Sequence, residues 1–521
     1  MPDRAARSPA PGELSPLARY PVHPFLFAAY AVLFLYSENL ADVLLVDAGK
    51  PLTTAILQAI VAFASASILL RSYRRGAVVA SALLIAWYGF GHAAPLLKDA
   101  GLGEGRQIGV WLLIIAVAIS YAVLARRSLP RVTALLNIFA AVLVAFTLAA
   151  IVPYEASRAT RSASTGQTAG LTGAAGPVPT RDVYYLVFDR YGSADAIQTA
   201  FGITDNDLYD WLEGRGFQVQ RDSHANYRAT DFSLAATLNM TYLDDLTKRI
   251  GRKSDDRTPA QAMLRDHRVG KEFQAMGYRY VHLGSWYGPT ASIPWADENI
   301  TAGVTSEFES VLRDTTMAPA IERAQGGEKA ARTFFERHGD IALFELRQLT
   351  RLASAPGPKF VFAHILLPHD PYVFRADGTR YTEEEVRSMD EAGLYAGQMA
   401  YLNSRIKHLI ETLTAAGDDE DPIIILQADE GPLACRSVDC PANDPRYFHI
   451  RFGNLNAMFV PGVDAVVAED MSSVNTFRFL FREAFGRDLD LLPDRSFTWP
   501  DNDHLYDFQD VTDKLRPMTG P

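Results

Sequence analysis

The sequence predicts an α/β domain with a mainly parallel sheet, carried behind an N-terminal bundle of five membrane-spanning helices. Three observations predict this. Apolar residues make up 48% of the 521 positions and charged residues only 21%, and before about position 154 the apolar ones gather into long runs. Beyond that point, short β-branched and aromatic runs alternate with longer helical patterns. Acids and histidines stand just after several of the short runs.

The predicted bundle, residues 21–153, comes first. Its apolar segments are Val22–Leu40, Pro51–Leu70, Ala77–Leu97, Gln107–Ala125 and Val132–Pro153, each near the ~20 residues that a bilayer-crossing helix needs. The first is interrupted by Glu38 and Asn39. A cleaved signal peptide before four spans is the alternative, but no small-residue cleavage site follows the run cleanly. Arg4, Arg7 and Arg19 precede the first span, Arg71, Arg74 and Arg75 follow the second, and Arg126, Arg127 and Arg131 follow the fourth. Arginine thus alternates sides, which places the 1–20 tail in the cytoplasm and everything after Pro153 outside. The spans carry almost no charge at mid-depth, so they read as an anchor in the lipid bilayer rather than a transport pathway. The net charge of -11 argues against a general nucleic-acid partner.

A Ser/Thr/Gly/Ala-rich linker follows, residues 154–180. The outer domain runs from 181 to 510, with 511–521 as a tail. Its strands are read at Val183–Phe188, Tyr278–Gly284, Lys359–Leu367 and Pro422–Ala428. A Thr-x-x-Glu capping box at Thr382 opens a long helix, and Gly417 is its plausible stop. Cys435 and Cys440 are the only cysteines. In an oxidising compartment a disulfide is the favoured reading, with a free or metal-binding pair as the alternative.

In open α/β sheets ligands bind beyond the carboxyl ends of the strands. Here those ends carry Asp189, then His364, His369 and Asp370, then Asp429 and Glu430. One acid at a strand end usually caps the next helix; three such ends point to a metal or phosphate site. His364 lies inside its strand run and reads as structural. Ser285, Trp286 and Tyr287 follow another strand and could line the pocket or the core.

"DVYYLVFDRYGSAD", "NYRATDFSLAATLNM", "HILLPHDPYVF", "LQADEGP" and "RFGNLNAMFVPG" occur in this order. Together they resemble the sulfatase-like branch of the alkaline phosphatase superfamily. In architecture the chain is similar to lipoteichoic acid synthases and lipid A phosphoethanolamine transferases, multi-pass proteins of the bacterial plasma membrane. The resemblance implies an alkaline-phosphatase-like domain. It implies an enzyme acting on a lipid-linked or cell-envelope phospho-substrate, by transfer or by diester hydrolysis. It makes Thr230 the nucleophile, at the start of a helix where backbone N–H groups favour anions; a plain helix cap is the alternative. It makes Asp189, Thr230 and Asp429 metal ligands and His369 a substrate-binding group; Glu430 is a further candidate ligand, and Arg190, Arg228 and His449 are further substrate-binding candidates. Family sulfatases need a Cys or Ser that can be oxidised to an aldehyde. Thr230, a secondary alcohol, cannot give one, so sulfate ester chemistry is disfavoured.

The chain departs from the family at two places. It reads Asp429-Glu430-Gly431 where the family usually has Asp-His-Gly, and Arg190 stands where a small or polar residue is usual. Two accounts fit. Glu430 could complete an all-oxygen site for one divalent ion, Mn²⁺ or Mg²⁺ before Zn²⁺, with Ca²⁺ a further option. Or Arg190 could pair with Glu430 or Asp429 in the metal's place, making a pseudoenzyme that binds a ligand or partner.

Overall fold

The computed structural model describes residues 19–125, 128–162, 181–303, 306–324, 334–415, 421–434 and 444–515. The chain divides into two units, residues 1–163 with 307–332, and residues 164–306 with 333–521.

The first unit holds α1 (His23–Ser37), α2 (Leu45–Leu69), α3 (Tyr73–Asp99), α4 (Glu104–Leu124) and α5 (Leu129–Ser162). Four of these, α2 to α5, are long and apolar enough to cross a membrane. The fifth expected span falls short. At 15 residues, α1 is about 22 Å long, less than a ~30 Å hydrocarbon core. Its limits are set by polar groups at both ends. Asn137 on α5 accepts from the backbone N–H of Val22 (3.0 Å) and His23 (2.9 Å), and at the other end Asn39 Nδ2 donates to Leu35 O at 2.7 Å. The expected 154–180 linker starts later than its composition suggests, because α5 remains helical through Ser162. Tyr36 Oη donates to Glu155 at 2.6 Å, and Arg158 donates to Glu155 and to Leu40 O, both at 2.5 Å. Residues 163–180 lie outside the described ones.

This unit also includes two helices from the middle of the expected outer domain, Glu307–Thr315 and Ala318–Ala324. Their amphipathic pattern reads as an ordinary globular surface, so the sequence did not separate them. Phe308 and Leu312 pack in a cluster with Leu84 and Tyr88 of α3, and Met317 and Ala320 in one with Ala86 and Phe90. Met317 N donates to Trp87 O at 2.9 Å. Gly91 is required by the close approach: a Cβ there would lie 2.5 Å from Asp314 O. Glu309 pairs with Lys50 at 3.0 Å, and Arg323 with Glu104 at 2.5 Å.

The second unit is built on seven strands: β1 (Val183–Phe188), β2 (Gln218–Val219), β3 (Arg279–Gly284), β4 (Glu298–Thr301), β5 (Lys359–Ile365), β6 (Ile423–Gln427) and β7 (Asn456–Phe459). Their order is β2-β7-β6-β1-β5-β3-β4. The run from β6 to β4 is parallel, and β7 is antiparallel to both β6 and β2. Every residue of β1, β5 and β6 is buried, which is why these strands read as unbroken apolar runs. Side chains alternate between two core layers. Val183, Tyr185, Val187, Phe360, Phe362, Ile423 and Ile425 meet helices Thr230–Asn239, Arg268–Ala275 and Thr476–Phe485. Tyr184, Leu186, Val361, Ala363, Ile424 and Leu426 meet helices Phe334–Leu352 and Glu391–Leu413. The capping box at Thr382 forms, but it opens only Glu383–Ser388; Asp390 then caps Glu391–Leu413 separately. The packed domain passes the expected boundary at 510, since Val511 and Leu515 are buried against Ala225, Phe448 and Phe452.

Candidate metal centre

Strand register builds the site. Val187 of β1 lies opposite His364 of β5 on one side and Gln427 of β6 on the other. With a side-chain period of two, Asp189 continues the face of Val183, Tyr185 and Val187. Asp429 continues that of Ile423, Ile425 and Gln427, and His364 that of Phe360 and Phe362. All three polar groups therefore leave the sheet on one face, the face covered by the helix that starts at Thr230. Asp189, His364 and Asp429 each offer a ligand atom within 4.8 Å of the others, and all three are buried. His364, read as structural from its place inside a strand, is thus part of the site. The alternation Phe360–Phe362–His364 was the signal that could have placed it on the same face as the acids.

These groups lack ordinary partners. Asp189 Oδ1, Asp429 Oδ2 and His364 Nε2 are buried without a hydrogen bond, and His364 Nε2 lies 3.3 Å from Asp189 Oδ2. Burial raises the Asp429 carboxyl well above the usual range, and the charges of Asp189 and Glu430 raise it further. Burial also acts against ionised Asp189, but His369, His364 and Arg190 outweigh it and hold that carboxyl below its ordinary value. Two buried carboxylates and an imidazole with open ligand atoms suit a divalent cation.

Glu430 is not in this group. Its carboxylate faces Arg451 Nη2 at 2.5 Å and Arg190 Nε at 3.3 Å. Arg190 reaches onward from Nη1 to Asp370 at 2.5 Å, and its backbone N–H donates to Asp429 Oδ1 at 3.3 Å. A positive φ of 61° at Arg190, uncommon for a side chain of this kind, accompanies this turn. Burial opposes the charge on Arg190, but Glu430, Asp189, Asp370 and Asp429 keep it firmly protonated. Glu430 therefore stands apart from the two carboxylates and one imidazole that could hold an ion. The reason is that one residue beyond Asp429 the chain turns toward two guanidinium groups.

The other expected residues divide. Thr230 is the first residue of its helix, with Ala229 at the cap position, and its hydroxyl lies near enough to Asp429 to act on that carboxyl. His369 lies near enough to Asp189 to act on it electrostatically; its Nδ1 meets Asp370 O, and its ring faces Trp286 edge-on at 6.0 Å. Trp286 donates to the buried His338 Nδ1 at 2.7 Å, so this wall is fixed. Tyr287 lies edge-on to His364 at 5.9 Å. Arg228 stacks over Trp499 at 4.5 Å, and its carbonyl accepts from Arg451 at 2.9 Å. His449 turns to Asp195 at 3.2 Å, away from the three ligand atoms. Cys435 and Cys440 lie outside the described residues.

Residues 217–446 match the family model described as Sulfatase, in line with the sulfatase-like resemblance of the sequence. No curated protein matches the chain. Among solved structures, the C-terminal periplasmic domain of EptC from Escherichia coli, in complex with zinc, overlaps at a TM-score of 0.42 and 11% identity; the overlap covers 65% of this chain and 99% of that one. The integral membrane lipooligosaccharide phosphoethanolamine transferase A from Neisseria meningitidis overlaps at 0.39 and 13% identity, covering 89% and 94%. A 4-S-sulfatase from Bacteroides thetaiotaomicron overlaps at 0.40 and 13%, covering 64% and 84%. Overlaps at this level carry no functional weight by themselves.

Proposed function

We propose that the chain is a membrane-anchored, metal-dependent phosphoryl-group transferase or phosphodiesterase that acts through Thr230 on a lipid-linked or envelope phospho-substrate. The observation that carries this reading is the trio of buried, unpartnered ligand atoms on Asp189, His364 and Asp429, beside a threonine that opens a helix. The membrane helices support a substrate drawn from the bilayer. The arginine pattern supports an outer α/β unit with a cytoplasmic N-terminus.

Asp189, His364 and Asp429, with Thr230, would hold one divalent ion. Such an ion supplies Lewis acidity and lowers the pKa of a hydroxyl beside it. With an imidazole in the set, Zn²⁺ or Mn²⁺ suits the donors better than Mg²⁺ or Ca²⁺. Asp429 lies beside the Thr230 hydroxyl. The N–H groups of the first turn and the positive end of the helix favour the phosphoryl oxygens. Arg190, paired with Glu430 and Asp370, lies beside the group, and His369 is the candidate to protonate the leaving oxygen. The competing reading, a degenerate binding domain, needs Arg190 in the cation's place. Its expected pair with Glu430 is present, and what favours the enzyme is that Asp189, His364 and Asp429 still group as possible ligands outside that pair.

The test is metal analysis of the full-length protein in detergent, with turnover of a nitrophenyl phosphodiester. About one divalent ion per chain is expected, and Thr230→Ala should cut turnover by roughly a thousandfold or more. A protein that takes up neither Zn²⁺ nor Mn²⁺ would end the enzymatic reading, and unchanged turnover in Thr230→Ala would remove the nucleophile.

A further inference from the structure

A neutral imidazole can bind a cation through Nε2 only if its proton sits on Nδ1, and that proton then needs an acceptor. His364 Nδ1 has one. It lies 3.0 Å from Thr290 Oγ1, on the loop that follows β3. Thr290, Ser285, His282 and His364 are all fully buried, out of reach of bulk solvent.

The loop is built to present this hydroxyl. After Gly284 it turns back, and a Cβ on Gly284 would lie 2.1 Å from Ala291 O, so only glycine allows the return. The Thr290 carbonyl is then held twice, by Ser285 N at 3.1 Å and by His282 Nε2 at 2.9 Å. Burial lowers the His282 pKa to about 4, so near neutral pH it carries one ring proton, which goes to that carbonyl. The Thr290 hydroxyl meets Ser285 Oγ at 2.8 Å and Tyr287 O at 3.5 Å, and Ser285 Oγ accepts from Tyr287 N at 3.2 Å. With Nε2 left bare for a cation, one assignment uses every hydrogen once. His364 Nδ1–H and Ser285 Oγ–H both donate to Thr290 Oγ1, Thr290 donates to Tyr287 O, and Tyr287 N–H donates to Ser285.

We propose that Thr290 is a positioning residue for the metal centre: its hydroxyl takes the His364 Nδ1 proton and leaves Nε2 aimed as a ligand toward Asp189 and Asp429. This rests on the proposed reading of His364 as a ligand. It adds that β3 and its loop, which contribute none of the three ligand atoms, set the affinity of the site. A purely structural Thr290 would affect stability and leave metal affinity alone.

The experiment is a competitive chelator titration with Zn²⁺ on the full chain in detergent, alongside thermal unfolding of the metal-free form. Thr290→Val, which keeps the shape and loses the acceptor, should weaken Zn²⁺ binding about 10–100-fold, the usual range for outer-shell partners. Thr290→Ser, which keeps the hydroxyl, should bind within about threefold of the parent. His364→Ala is the reference. If the parent binds Zn²⁺ and His364→Ala binds it equally well, His364 is no ligand and the underlying reading fails. If His364→Ala weakens binding while Thr290→Val does not, only the positioning role fails. A Thr290→Ser protein as weak as His364→Ala would overturn it as well, even should Thr290→Val not fold.

Discussion

Asp429 and Glu430 are neighbours in the chain and equally buried, yet their surroundings are opposite. Asp429 shares its face with Asp189 and His364 in a group that could hold a cation. Glu430 faces two guanidinium groups, Arg451 and Arg190. One cluster has an excess of negative charge and calls for a cation from outside. The other carries its counterions in the fold. Adjacent residues leave the end of a strand in different directions, so one Asp-Glu pair can serve both a site and its support.

Substitutions should separate the two. Glu430→Gln leaves Arg190 and Arg451 without their shared anion, and is expected to cost about 3–5 kcal/mol of stability while Zn²⁺ affinity stays nearly unchanged. Unfolding in detergent with a parallel metal titration reads both. Equal loss of metal binding would put Glu430 back among the ligands. Asp429→Asn should do the reverse. Metal affinity falls roughly a hundredfold or more, while the metal-free protein is as stable as the parent or more so, because a like charge beside Asp189 is gone.

The pH dependence sharpens the same contrast. Folding raises the Asp429 pKa, so the metal-free protein has this contribution in full below the unfolded value and loses it as pH rises through the folded one. Bound metal should abolish that arm. Buried histidines outside the two clusters act with the other sign. Burial lowers His224 to about 4, and His267 and His338 to about 3, from 6.5. As pH falls from 6.5 toward those values the unfolded chain binds more protons, and stability drops by about 1.4 kcal/mol per pH unit for each such group. Unfolding midpoints across pH 4–8, with and without Zn²⁺, should show the acid-side loss in both forms and the alkaline-side loss in the metal-free form alone. The smallest effect is expected at the half-exposed Arg323–Glu104 pair of the membrane unit. Arg323→Glu should cost no more than about 1 kcal/mol, recovered by adding Glu104→Arg. A larger loss would mean that this pair holds the two docked helices in place.

Much of this protein was legible in its sequence because simple periodicities carry over to structure. Long apolar runs specify membrane helices, and buried parallel strands announce themselves as unbroken apolar runs. The acids at the ends of β1 and β6 followed from the strand-end rule. His364 did not, since a histidine inside a strand looks the same whether it supports a core or faces a site; the register of β5 against β1 decided it. The packing of Glu307–Thr315 and Ala318–Ala324 against the first unit's helices was also invisible, because an amphipathic helix does not say which apolar surface it will meet.

By itself, the sequence determined the four membrane-length helices, the α/β class, and the acids at the ends of the strands. Those are local properties, set by hydrophobic period and residue type. Only the tertiary structure decided which groups face one another. It put His364 with Asp189 and Asp429, gave Glu430 to Arg190 and Arg451, and brought Thr290 to the far side of the imidazole. Side-chain partnership depends on strand register and on the return of distant loops, and neither is written in the spacing of residues along one strand.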